Sequence, residues 1–204
     1  MKTVFTALTA SLSAGRAAVL CSITSSSGST PRGPGAKMLV LEDGEPTGTI
    51  GGGAVEYRSE QIAREALKEG RSRVESFQLR PNEVQDLGMV CGGEVTVYFH
   101  YIAAEDITFL SLVEHALELF RHGEESWLAT DITPGGTGTL SLYGRVQGVL
   151  GSPLPDEVLE QAGPAPKQIT AGGNIYYIEP LLRAGIVYIF GGGHVSQALV
   201  PALT

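Results

Sequence analysis

The 204-residue chain holds 14 Lys and Arg against 22 Asp and Glu, a formal charge of −8. A surface of that sign has no general attraction for nucleic acid or anionic lipid, so any anionic ligand must be held by a local site. Hydrophobic residues make up an ordinary globular 43%, and neither a signal peptide nor an apolar run approaching the roughly 18 residues of a membrane span is seen, so a cytoplasmic protein is the expectation.

The first predicted element is a short amphipathic helix over Val4–Leu12, stopped by Gly15. Ala17–Thr24 follows as a buried-type strand, with Cys21 as a small core residue. A hydroxyl- and glycine-rich loop runs from Ser25 to Gly35, and Met38–Leu41 is a second strand. The polar turn at Glu42–Glu45 predicts a hairpin between the strands on either side. Gly51-Gly52-Gly53 opens a helix over Ala54–Glu69, with Glu60 and Arg64 as an i,i+4 pair and Gly70 as its C-terminal cap.

Val74–Leu79 and Glu94–Ile102 read as strands, the second with Val95, Val97, Phe99 and Tyr101 alternating onto one face. The helix over Asp106–His122 has an Asp cap, apolar residues at helical spacing and Gly123 at its end. Trp127–Ile132, Thr139–Leu142 and Val146–Leu150 are expected as strands of an antiparallel extension. The Pro- and Gly-rich stretch 151–166 is expected as a linker with one short helix near Asp156–Gln161. Asn174–Ile178 is a further strand, and Ile186–Phe190 a buried strand running into Gly191-Gly192-Gly193-His194. Strands and helices without a regular βαβ rhythm predict an α+β domain over 1–182, with a mixed or antiparallel sheet and flanking helices. Residues 183–204 are expected to be the first β-α unit of a truncated Rossmann-like domain.

Three glycine-rich loops in the first half carry the chemistry. In Gly28-Ser29-Thr30-Pro31-Arg32 the Ser29 and Thr30 hydroxyls and free N–H groups can donate to an anion, and Arg32 supplies a forked cation. A solvated hairpin loop accounts for the same composition. In Gly48-Thr49-Ile50-Gly51-Gly52-Gly53-Ala54-Val55-Glu56, the triplet Gly51, Gly52 and Gly53 can turn backbone N–H groups toward an anion at a helix N-terminus. Glu56 fits the helix dipole and could hold a ligand's hydroxyl or ring N–H; a tight turn with a capping Glu is the alternative. In Gly88-Met89-Val90-Cys91-Gly92-Gly93, Cys91 lies among glycines whose N–H groups can raise its thiolate fraction. That suits a nucleophile, a sulfur carrier or a soft metal ligand, against a buried turn cysteine. The spacing around Cys91 does not fit a structural zinc site.

These loops, in this order and with Gly35-Ala36-Lys37-Met38 after the first, resemble the N-terminal domain of the XdhC/CoxI family. Val187-Tyr188-Ile189-Phe190-Gly191-Gly192-Gly193-His194-Val195 is similar to the start of that family's C-terminal Rossmann domain. The resemblance implies a chaperone that transiently binds the molybdenum cofactor, protects it during installation of its terminal sulfido ligand, and delivers it to a xanthine-dehydrogenase-type molybdoenzyme. A cysteine desulfurase is a second implied partner, and a homodimer is expected. On this basis Ser29, Thr30, Arg32, Gly51, Gly52, Gly53, Glu56, Cys91, Gly92 and Gly93 are expected to bind cofactor, with Cys91 beside the molybdenum. No catalytic residue is assigned, because no Ser-His-Asp or paired-carboxylate set is evident.

Gly191-Gly192-Gly193-His194-Val195-Ser196 fits G-x-G-x-x-S, with Ser in place of the third Gly. Gly191, Gly193 and His194 form a nucleotide-type loop, but the acidic residue expected about 20 positions on would lie beyond Thr204. NAD(P) binding is therefore not expected of this chain. An NAD(P)-dependent oxidoreductase and a nucleotide-binding oligomerisation fragment are the rival readings.

Overall fold

A computed structural model of the chain describes residues 1–79, 92–136, 138–181 and 189–203. The fold is α+β, built on two five-stranded sheets. The first sheet comprises β1 (Ala18–Ser27), β2 (Lys37–Leu41), β3 (Thr47–Thr49), β4 (Arg73–Gln78) and β5 (Glu94–Ile102), in the order β3-β2-β1-β5-β4. Of the two arrangements expected, mixed or antiparallel, every described pairing is antiparallel. The expected hairpin forms between β2 and β3, with Lys37 opposite Thr49.

Alternation along β1 decides what each face meets. Val19, Cys21 and Ile23 point to one side and join Phe99, Val97 and Met38 under a helix, α2 (Gly53–Glu69), which contributes Val55, Ile62, Ala63 and Ala66. Ala18 and Leu20 point to the other side, where they meet α1 (Lys2–Ser13) and α3 (Ile107–His122). The helix ends follow the sequence. The Asp106 carboxylate accepts from the Phe109 N–H at 2.8 Å, and Gly70 and Gly123 close α2 and α3 in the left-handed conformation. Arg64 makes its expected pair with Glu60 and also donates to the carbonyls of Leu41, Glu42 and Gly44, tying α2 to the β2–β3 turn.

The strands expected as an extension form a separate second sheet. It comprises β6 (Ser126–Asp131), β7 (Leu140–Gly144), β8 (Gly148–Gly151), β9 (Lys167–Ala171) and β10 (Asn174–Pro180), in the order β8-β7-β6-β10-β9, all antiparallel. One face contributes Leu128, Leu140 and Leu142 to the core beside α1 and α3. The other carries Trp127, Ala129 and Ile178 beneath the stretch 151–166, which packs through Leu154, Val158 and Ala162 and holds α4 (Asp156–Leu159). The Trp127 Nε1–H donates to the Gly163 carbonyl at 2.7 Å, so this stretch is fixed to the sheet. Among the described residues, no helix is long and apolar enough to cross a membrane. Most of the strand expected at 186–190 lies outside the described residues. Beyond Gly191–Gly193 the chain forms α5 (His194–Leu203).

Candidate functional site

Strand pairing brings the first two glycine loops and the Gly92-Gly93 end of the third to one end of the first sheet. β1 and β5 run in register from Ala18 opposite Ile102 to Cys21 opposite Phe99, then shift at a bulge between Ile23 and Ser25. Pairing resumes to Ser27 opposite Glu94, so β1 extends further into the serine run than its apolar pattern predicts. Gly28 thereby emerges beside Gly92 and Gly93. A Cβ on Gly28 would lie 2.9 Å from the Gly92 carbonyl oxygen. A Cβ on Gly93 would lie 2.6 Å from the Ser27 oxygen and collide with the Ser29 oxygen. The second loop closes on the first from the other side, where a Cβ on Gly51 would lie 3.1 Å from Pro31 Cβ and 3.7 Å from Arg32 Cγ. Glycine is needed for close approach at these contacts, and Gly51, Gly52 and Gly53 all adopt positive φ.

Arg32 is exposed and makes no ion pair or hydrogen bond among the described residues. Ser29 is exposed beside it and Thr30 is half-buried. Tyr57, one residue beyond Glu56 on α2, is 64% exposed. The rim of the cluster therefore offers a free guanidinium, hydroxyls and an aromatic face.

Glu56 takes the capping part, one of the two read from the sequence. Its Oε2 accepts from the N–H groups of Ile50 and Gly52, both at 3.0 Å, and from the Thr49 hydroxyl, whose oxygen in turn accepts from the Gly51 N–H at 3.1 Å. Of the amides expected to face an external anion, that of Gly52 is occupied by the chain's own carboxylate and that of Gly51 by the Thr49 hydroxyl. Partial burial alone would raise the Glu56 carboxyl, but the hydrogen bonds from Thr49, Gly52, Ile50 and Gly51 outweigh it and hold the group below 4.5. Oε1 is not engaged in this clamp. The buried Cys21 thiol lies on the α2 side of the sheet, and desolvation, then the Glu56 charge, push it far above its ordinary range. It is an inert core residue.

Cys91 lies outside the described residues, although its neighbours Gly92 and Gly93 are in the loop cluster. Among the described residues, no group of three or more His, Cys, Asp and Glu could hold a metal ion. Among the described residues, nothing lies within 4 Å of a Cβ added to Gly191, Gly192 or Gly193, and His194 is exposed at the start of α5.

A polar cluster between the sheets was not found from the sequence. Lys37 of β2 forms a direct ion pair with Glu179 of β10, and both side chains are buried. The Lys37 ammonium also donates to Ser22 Oγ at 3.0 Å and lies 5.9 Å from the centroid of the Tyr177 ring. His100 of β5 lines the same interior, where burial and then the Lys37 charge lower its pKa to about 4. The signal was available: Lys37 opens the apolar run Met38–Leu41, and Glu179 closes the run Ile175–Ile178. A charge inside a buried strand requires a partner.

With this geometry in place, relatives can be compared. Residues 11–78 match the model of a family described as the XdhC and CoxI family. The Escherichia coli K12 protein YqeB, described as uncharacterized, is 39% identical over 79 residues, which are 39% of this chain and 14% of YqeB. The molybdenum cofactor insertion chaperone PaoD of the same strain is 35% identical over 92 residues, 44% of this chain and 28% of PaoD. A crystal structure from Bacillus halodurans, described as a xanthine dehydrogenase, superposes with a TM-score of 0.66 over 88% of this chain and 53% of that one. At 18% identity, that likeness establishes a shared fold. The chain therefore covers well under two thirds of the length of these relatives. The XdhC/CoxI resemblance is borne out over residues 11–78, which contain the first two glycine loops.

Proposed function

We propose that the chain is a molybdenum cofactor chaperone, and that the end of the first sheet where the three glycine loops meet is its cofactor-binding mouth. The observation that carries this reading is the backbone-to-backbone packing of Gly28 against Gly92 and Gly93, with Gly51 against the Pro31 side chain, beside an exposed Arg32 that has no partner among the described residues. The likeness to PaoD, named as an insertion chaperone, supports it. So does the chemistry of the donors: a negatively charged chain needs a local cation for an anionic cargo, and Arg32 is that cation.

In this reading Arg32, with the Ser29 and Thr30 hydroxyls, takes the cofactor's phosphate. Gly51, Gly52 and Gly53 allow close approach, while Glu56 fixes their backbone through Oε2 and presents Oε1 to the pterin. Gly92 and Gly93 form the opposite lip, and the adjoining Cys91 is assigned to the molybdenum. The mouth shields the cargo while its terminal sulfido ligand is installed, before transfer to a xanthine-dehydrogenase-type enzyme.

The test is a titration of purified, anaerobic molybdenum cofactor into this chain and into its Cys91→Ala variant, followed by absorbance and metal content. Saturable binding with molybdenum retained is expected for the native chain. Failure to bind would overturn the reading, and unchanged binding and transfer in Cys91→Ala would remove that residue from the site.

A further inference from the structure

The buried cluster between the two sheets contains groups with unused hydrogen-bonding capacity. The Tyr177 hydroxyl and Glu179 Oε2 are both fully buried and have no well-formed hydrogen bond among the described residues. Both lie near Gly35, at 4.0 and 3.8 Å from where its Cβ would stand. The Gly35 N–H donates to the Ile23 carbonyl at 3.0 Å and reaches the Tyr177 hydroxyl only as a weak secondary contact, leaving Glu179 Oε2 unserved. Lys37 spends one proton on Glu179 Oε1 and one on Ser22 Oγ, which leaves its third proton available.

These three groups line an interior cavity of about 20 Å³ whose other walls include Phe5, Leu20 and Phe109. A single water needs about 10–15 Å³ and two to four polar partners. The charges of Lys37 and Glu179 cancel, so a neutral occupant is favoured over an ion. The proximity of Ser22 to Lys37 is the geometry of a hydroxyl–lysine nucleophile pair. Here, however, Lys37 is engaged as the cation of an ion pair, and the space excludes any substrate larger than one heavy atom.

We propose that this cavity is a binding site for one water molecule, which donates to Glu179 Oε2 and joins it to the Tyr177 hydroxyl and the Lys37 ammonium. The water completes a polar clamp between β2 of the first sheet and β10 of the second. An unsatisfied buried carboxylate oxygen and phenol would each cost stability, and one bridging water satisfies both.

A high-resolution crystal structure of the full chain tests this directly. One peak is expected within about 2.6–3.2 Å of both Tyr177 Oη and Glu179 Oε2. An empty cavity in well-ordered density, or a direct Tyr177–Glu179 hydrogen bond closing it, would overturn the proposal. In solution, oxygen-17 relaxation dispersion should count one fewer long-lived water in the double variant Lys37→Met/Glu179→Leu. An unchanged count would also overturn it. If the double variant does not fold, the native crystal structure decides alone.

Discussion

Gly93 packs its Cα directly beneath the Ser29 carbonyl, in space that no Cβ can share. Gly92, its immediate neighbour, has no described atom within 4 Å of an added Cβ. The two glycines therefore separate packing from loop composition. Gly93→Ala is expected to lower stability by about 1–3 kcal/mol, the usual cost of overpacking. Gly92→Ala should stay within about 0.5 kcal/mol of the native chain. Chemical denaturation of both variants checks the contrast.

Arg32 is exposed and has no partner among the described residues, so its loss should leave the fold intact. Arg32→Ala is expected to change stability by less than about 0.5 kcal/mol. Its cofactor affinity should fall about ten- to a hundredfold, the worth of a charge-assisted hydrogen bond. Arg32→Lys should recover only part of this, because a point charge does not reproduce the fork. Parallel cofactor titrations measure both effects, and native affinity in Arg32→Ala would remove the guanidinium from the mouth.

The Lys37–Glu179 pair leads to a different expectation. Lys37→Met leaves Glu179 buried without its cation and should cost about 3–5 kcal/mol. Replacing both partners by apolar residues should recover most of that loss, since a well-packed apolar pair is often as stable as a buried ion pair. Thermal melts of the single and double variants, combined as a double-mutant cycle, give the coupling.

His100 makes stability depend on pH on the acid side. Its pKa falls from 6.5 to about 4 in the folded state, so between those values the unfolded chain binds a proton that the folded chain does not. Stability therefore decreases as pH falls from about 6.5 to about 4, by a total on the order of 3 kcal/mol. Glu56 acts lower on the scale: its carboxyl is held below 4.5, so its contribution is present above that value and is lost as pH falls through the folded pKa. Urea unfolding of native and His100→Gln chains between pH 7 and 4 isolates the histidine, and parallel slopes would exclude it.

Local signals located much of this fold. Asp106 and Gly123 bracket α3 because cap chemistry acts within a few residues. Alternation from Val95 to Tyr101 identified both the strand and its inward face. β9 escaped notice, and β3 was expected only as the undelimited second strand of a hairpin, both for physical reasons. β3 is three residues long with Gly48 at its centre, and β9 alternates only through Ile169 and Ala171 after a Pro-rich stretch. The glycine loops stood out by composition, but their convergence depends on the bulge after Ile23 and on β5 pairing with β1. The direction of the Glu56 carboxylate was equally hidden, because a first-turn acid can face either its own loop or a ligand. Pairing of Lys37 with Glu179 required the stacking of two sheets, which no local pattern encodes.

The strand order also has a consequence for synthesis. β5 joins β1 only after α2 and β4 have been made, and Gly92 and Gly93 stand at the head of β5. A chain still emerging from the ribosome can carry residues 28–32 and 51–53 without the lip that closes against them. The loop cluster therefore closes in one late step, when β5 zips onto β1, and a half-made chain holds only its two earlier loops.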